Sequence, residues 1–190
     1  MKNAYNKKYF TRQSGFSLYM VLIIMVVIAF LVVATMQSTS MNTRTATNDS
    51  DYQLALQNAQ VGLKAAQDKI SALASSNSTA QFTCKCTNGL CAAKGVKPED
   101  ADSRLAKVED NCSNLKEVWK RENVFSDSNE DPSIKSPNDN PKYRYVIEYL
   151  GPNSENTPGV YIFRVTAKGW GRNQRTTSVI EETLQANLNE

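Results

Sequence analysis

The chain is 190 residues long and contains no histidine. That removes the commonest general base, the usual hydrolytic triads and most catalytic zinc sites. Its formal charge of +3 is set by the N-terminus: Lys2, Lys7, Lys8 and Arg12 stand in the first fifteen positions without an acidic residue, which leaves 18 basic against 19 acidic residues in the rest. Beyond the N-terminus the chain is near neutral and offers no electrostatic support for nucleic-acid binding.

Phe16 to Met36 has no charge, glycine or proline. At ~1.5 Å per residue such a helix spans ~30 Å, one hydrocarbon thickness. It is apolar all round, as lipid demands, whereas a surface helix of a soluble domain keeps one polar face. The basic residues before it predict a cytoplasmic N-terminus and export of everything after Met36. A secretory signal would have a shorter apolar core followed by small residues at the cleavage site. Here the small residue, Gly15, comes first and Phe16 opens the apolar run. A cut at that point would remove the basic leader and leave the membrane segment on the product.

A short basic leader, then Gly15-Phe16-Ser17-Leu18, then an unbroken apolar helix resembles a type IV prepilin. The resemblance implies cleavage after Gly15 by a prepilin peptidase and N-methylation of the new N-terminal Phe16. Most pilins carry Glu five residues into the mature chain; here that position is Met20.

Gln37–Ser50 is polar and rich in Ser and Thr, weak helix formers that either continue the helix or loosen it. Tyr52, Leu56, Ala59, Leu63, Ala66, Ile70 and Leu73 then follow at alternating four- and three-residue spacing, a narrow apolar stripe. With Ala at alternate positions, the stripe predicts a helix face packed closely on a sheet; a coiled-coil seam would run for little more than three heptads. The resemblance implies the same arrangement, one long N-terminal helix whose second half lies on a C-terminal sheet.

Ala74–Ala80 is a small-residue linker that includes the sequon Asn77-Ser78-Thr79, which is expected to be an exposed loop. Cys84, Cys86, Cys91 and Cys112 follow. Their spacing lacks the paired knuckles of a zinc site, and an even number of cysteines in an exported segment predicts two disulfides. Cys84 to Cys86 is disfavoured by bridge geometry, so the pairing is either 84–91 with 86–112 or 84–112 with 86–91. Asn114–Glu122 is expected to form a short helix, with Asn114 and Glu117 at capping-box spacing and Leu115, Val118 and Trp119 inward. Ser126–Pro141, with three prolines, is expected to be a solvated loop. Asp127, Asn129 and Asp131 open it in the manner of a calcium loop, but Pro132 and Asn138 stand where that loop needs Gly and Glu.

The last third alternates. Tyr143, Tyr145, Ile147 and Tyr149 share one face of a strand over Lys142–Leu150, opposite Arg144 and Glu148; Tyr161, Phe163, Val165 and Ala167 share one face over Val160–Lys168. Gly151–Gly159 and Gly169–Asn173 are expected turns. Arg175–Leu184 is expected to be a weaker third strand with Val179, Ile180 and Leu184 as its apolar residues. Short connections make this an antiparallel meander. Tyr145–Gly151 and Phe163–Gly171, taken with the leader and the helix around Ala55–Ala59, resemble the C-terminal strands of PilK/PilX-type minor pilins, which also tend to lack the early Glu.

The expected fold is therefore α+β, type IV pilin-like. It is divided as 1–15 cleaved leader, 16–36 transmembrane helix, 37–76 amphipathic second half of the long helix, 77–141 disulfide-bonded loop and short-helix region, and 142–190 antiparallel β-meander. The resemblance implies a non-enzymatic assembly subunit that primes type IV pili in the inner membrane and stays at the tip. Its implied partners are other minor pilins, the major pilin, the prepilin peptidase and the inner-membrane assembly platform, with no cofactor or metal. The alternatives are a displayed binding subunit, with Arg164, Lys168, Arg172 and Arg175 around Trp170 as a basic-aromatic patch, or a type II secretion minor pseudopilin.

Overall fold

The computed structural model describes residues 15–76, 79–100, 106–108, 112, 115–126, 130–138, 140, 142–153 and 159–188. The basic leader, Asn77 and Ser78 of the sequon, the Asn114 cap, and Asp127 and Asn129 of the calcium-like run lie outside the described residues. The chain divides into two compact units, 1–47 and 48–190.

In the first unit the described chain is helical from Phe16 onward, the beginning of α1 (Phe16–Ser75). The Thr-rich segment continues the helix without loosening it. The hydroxyls of Thr35, Thr39, Thr43, Thr45 and Thr47 each donate to a carbonyl three or four residues back, at 2.8–3.1 Å, and so bond within the helix itself.

In the second unit the rest of α1 lies across a sheet. Its fully buried line is Ala55, Ala59, Gly62, Ala66 and Ile70, which shares Ala59, Ala66 and Ile70 with the expected stripe and adds Ala55 and Gly62. Tyr52 is 52% exposed, and Leu56, Leu63 and Leu73 are half-buried along the margins. The smallest residues, rather than the most apolar, mark the line of closest approach, because the helix backbone sits almost on the sheet.

Three short strands come first: β1 (Ala80–Phe82), β2 (Leu90–Ala92) and β3 (Ala106–Val108). Then come β4 (Ile134–Lys135) and the long strands β5 (Tyr143–Pro152), β6 (Val160–Trp170) and β7 (Thr177–Asn187). The antiparallel meander β5-β6-β7 forms the main sheet, and the far side of β5 is covered by β2, running parallel, and β4, antiparallel. β1 and β3 form a separate parallel pair. All three long strands outrun the expected limits. β5 takes in Gly151 and Pro152 through an irregularity after Tyr149, and β6 runs on through Gly169 and Trp170.

Both expected alternating faces point to the helix. Tyr143, Tyr145, Ile147, Tyr149, Tyr161, Phe163, Val165 and Ala167 share one core with Ala66, Ile70 and Phe82. The Phe82 ring lies 5.3 Å from Tyr149 and 5.9 Å from Phe163. The sheet's other face is also covered, by a smaller core of Cys86, Cys91, Val118, Phe125 and Val146.

Two expectations fail in this second layer. In place of the expected helix, the described residues 115–122 hold a single 3-10 turn, Val118–Lys120. Val118 is buried, Leu115 half-buried, and Trp119 is 52% exposed with the Lys120 amine 4.3 Å from its ring centre. A run this short lacks the length to sustain an isolated helix, and tertiary contacts set its shape instead. Nor is the 126–141 segment a purely solvated loop: Asp131, Ser133 and Ser136 are buried, and β4 lies within it.

Candidate functional sites: the N-terminal junction and the cystine layer

Gly15 directly precedes α1, and its carbonyl accepts a hydrogen bond from the Tyr19 amide at 3.4 Å. Phe16 is the first helical residue, and Met20 lies one turn on; both are exposed. α1 is the one helix among the described residues long and apolar enough to cross a membrane. Its first turn has no acidic residue, and Met20, one turn on, is uncharged.

Cys84 is bonded to Cys112 and Cys86 to Cys91, one of the two pairings that spacing left open. The bridges fall on opposite sides of the sheet margin. Cys84 and Cys112 pack with the helix-side core, while Cys86 and Cys91 belong to the outer one. The alternation of β2 explains this: Leu90 and Ala92 face inward beside Ile147 and Tyr149, while Cys91 faces outward beside Glu148. Cys86 and Asn88 adopt positive φ, 61° and 54°, in the tight turn that the shorter bridge closes.

Arg121 ties this layer to the sheet. Its guanidinium donates to the carbonyl of Lys116 at 2.9 Å, to that of Ala92 at 3.0 Å and to that of Cys84 at 3.3 Å, and reaches Cys86 Sγ at 3.4 Å. It also meets Glu148 Oε1 at 3.4 Å, while Arg164 Nε donates to Glu148 Oε2 at 2.7 Å. Glu148 is fully buried; two guanidiniums and their hydrogen bonds make that burial tolerable. Burial pushes Arg121 below its ordinary value against the pull of Glu148, whereas the hydrogen bond to Glu148 pushes Arg164 up.

A second buried carboxylate organises the neighbouring loop. Asp131 accepts from the amides of Phe125 and Ser133, from the Ser133 hydroxyl and from Arg144 at 2.5 Å. The three positions named in the calcium-like run thus include one, Asp131, that is engaged by an arginine. Among the described residues no group of three or more Cys, Asp or Glu is arranged to hold a metal ion.

The basic-aromatic patch of the displayed-binder alternative is not assembled, and Trp170 is a core residue. Trp170 is only 3% exposed, and Lys142, Arg144 and Lys168 stand 4.9–5.3 Å from its ring centre. Lys168 donates to the Phe125 carbonyl, and Arg164 is spent on Glu148. Arg172 and Arg175 are exposed on the β6–β7 turn. That turn is held by Asp51 of α1, which accepts from the amides of Arg172 at 2.5 Å and Asn173 at 3.3 Å. Hydrogen bonding, first from the Thr176 side chain and then from these amides, holds the Asp51 carboxyl below the usual carboxylate range.

Arg121, Asp51 and Asp131 were missed as organising residues. Glu148 was legible only as a polar position opposite the core face, because nothing local says that a second layer covers that face.

A long apolar N-terminal helix whose second half lies on a mostly antiparallel sheet is the α+β architecture of a type IV pilin-like protein. The family model described as type IV pilus assembly protein PilX C-term matches residues 38–186, and the chain belongs to that family. No curated protein and no solved structure matches it. The family is one of structural assembly proteins and is not a known enzyme class.

Proposed function

We propose that this chain is a minor pilin that primes type IV pilus assembly in the inner membrane, within an initiation complex of minor pilins, and remains at the pilus tip. Family membership supports an assembly role, and Met20 carries the priming assignment. An early Glu in an entering pilin is expected to pair with the charged N-terminal amine of the subunit before it. Within lipid an unpaired charge costs roughly 3 kcal/mol or more. The first subunit has no predecessor to neutralise, and a methionine at that position is cheap to bury.

In this reading the prepilin peptidase cuts after Gly15, Phe16 is methylated, and residues 16–36 span the inner membrane with the C-terminal domain periplasmic. The assembly platform, the other minor pilins and the major pilin are its partners. A nucleic-acid patch centred on Trp170 is disfavoured because that ring is buried and offers no stacking face.

The test combines three measurements. Intact mass of membrane-extracted protein should show a methylated N-terminus at Phe16, and Gly15→Leu should leave the precursor uncut. A deletion strain should lose most filaments, and immunogold should mark one filament end. A mature N-terminus at Met1, normal piliation in the deletion strain, or label spread along the shaft each overturns the corresponding part.

A further inference from the structure

β7 is the open edge of the main sheet; among the described residues nothing pairs with its outer side. Hydrogen bonds at its two ends set the phase of the ladder. Gly171 N donates to Thr176 O at 2.9 Å just before the strand, and Leu188 N donates to Gly159 O at 3.1 Å just after it. Bonded and non-bonded pairs alternate along an antiparallel ladder. Ser178, Ile180, Glu182, Leu184 and Ala186 therefore bond to β6, while Val179, Glu181, Thr183 and Gln185 turn their N–H and C=O groups outward.

Such an edge is usually blunted by shortness, charged side chains (lysine above all), proline, a bulge or a covering segment; here the only charges are Glu181 and Glu182, the latter accepting from Gln67 Nε2 of α1 at 3.0 Å. β7 has eleven residues, TSVIEETLQAN, with no lysine, arginine or proline, and its register with β6 is unbroken. The opposite edge is treated differently, since β2 and β4 shield β5. Along β7 the core-facing Ile180, Leu184 and Ala186 are only half-buried, and Val179 on the other face is 52% exposed.

A second copy is a poor occupant. Antiparallel self-pairing must match outward residues with outward residues. The three registers that use most of the strand are then centred on Glu182, Glu181 or Thr183, and because β7 has no lysine or arginine none of them sets a cation against either glutamate. The first two also place a carboxylate directly opposite its own copy, which is destabilising. The same carboxylates favour a basic partner. Glu181 lies 3.9 Å from Arg164, whose closer bond, at 2.7 Å, goes to Glu148.

We propose that β7 is a docking edge at which an extended segment of a different polypeptide of the pilus assembly adds as a further strand. That segment places Lys or Arg against Glu181 and alternate apolar side chains beside Ile180 and Leu184. Main-chain bonds supply affinity and the alternating side chains supply selectivity. The choice of a pilus component rests on the function proposed above.

The test uses the full chain in cells and purified in detergent. Glu181→Pro removes an outward N–H and no bond to β6, so the protein should accumulate disulfide-bonded at the wild-type level. Piliation should fall to that of the deletion strain, and Glu181→Arg should act in the same direction. Intact filaments with Glu181→Pro, in a background where deletion abolishes them, overturn the docking edge alone; intact filaments after deletion overturn the priming role instead.

Hydrogen exchange decides independently of piliation and of how the proline variant folds. The amides of Val179, Glu181, Thr183 and Gln185 should exchange at least about tenfold more slowly in native membranes than in the dilute purified chain. Equal exchange in the two states rejects strand addition. Protection that appears in the purified chain on concentration makes a second copy the occupant and likewise overturns the proposal.

Discussion

Helix-to-sheet docking makes a sharp test, because two glycines face each other's elements with opposite tolerances. A Cβ on Gly169 of β6 would land on the backbone nitrogen of Ala59 and the carbonyl oxygen of Ala55, and 2.8 Å from the carbonyl carbon of Asn58. These are backbone atoms of α1 and cannot swing aside, so Gly169→Ala must lift the helix. Overpacking of this kind costs about 1–3 kcal/mol. The lift also strains the 2.6 Å bond from Asn58 Nδ2 to the Trp170 carbonyl, worth about 1 kcal/mol. The expected loss is about 2–4 kcal/mol, a large share of a typical 5–15 kcal/mol.

Gly62 of α1 is the control. Its added Cβ would sit 3.2–3.3 Å from Tyr143 Cδ2 and from the Cβ atoms of Tyr143 and Ala167, contacts relieved by a shift of a few tenths of an ångström. Alanine in place of glycine also gains about 1 kcal/mol of helix propensity. Gly62→Ala should therefore stay within about 1 kcal/mol of wild type. Urea unfolding of the full chain in detergent, followed by tryptophan fluorescence, ranks the two. A Gly169→Ala protein within about 0.5 kcal/mol of wild type, or more stable than Gly62→Ala, refutes the close-approach argument.

The two disulfides should contribute unequally. For closed loops set by separations of 28 and 5 residues, the chain-entropy relation gives about 3.6 kcal/mol for Cys84–Cys112 and about 2.2 kcal/mol for Cys86–Cys91; paired Cys→Ala variants that unfold in the reverse order contradict it. Asp51 should make the β6–β7 turn pH-dependent. Its folded-state carboxyl titrates below its ordinary value, so its contribution is present above about pH 4 and lost as the pH falls through the folded-state value. The stability gap between wild type and Asp51→Asn should accordingly be present at neutral pH and close in acid, and a gap independent of pH rejects the assignment.

Much of this architecture was legible without coordinates, for local reasons. Charge and hydropathy alone mark Phe16–Met36 as a segment suited to lipid, because a lipid-facing helix needs no tertiary partner to declare itself. Strict alternation in β5 and β6 marks Tyr143 to Tyr149 and Tyr161 to Ala167 as core, since successive side chains of a strand must point to opposite faces. Gly15 and Phe16 at the head of the apolar run, and the uncharged Met20, are likewise properties of the chain itself.

Other features were decided only by tertiary structure. Periodicity already placed Ala59, Ala66 and Ile70 in the helix stripe, but only close packing on the sheet brought Ala55 and Gly62 into it and left Leu56, Leu63 and Leu73 on the margins. The cysteine pairing depends on which side of the sheet margin each sulfur occupies, and spacing does not encode that. Glu148 reads as a solvent-facing position until Val118, Phe125 and the Cys86–Cys91 bridge cover the outer face and Arg121 and Arg164 converge on it. Periodicity within a segment reports which of its faces is apolar. Which distant segments meet over a polar face depends on long-range contacts that no local pattern carries.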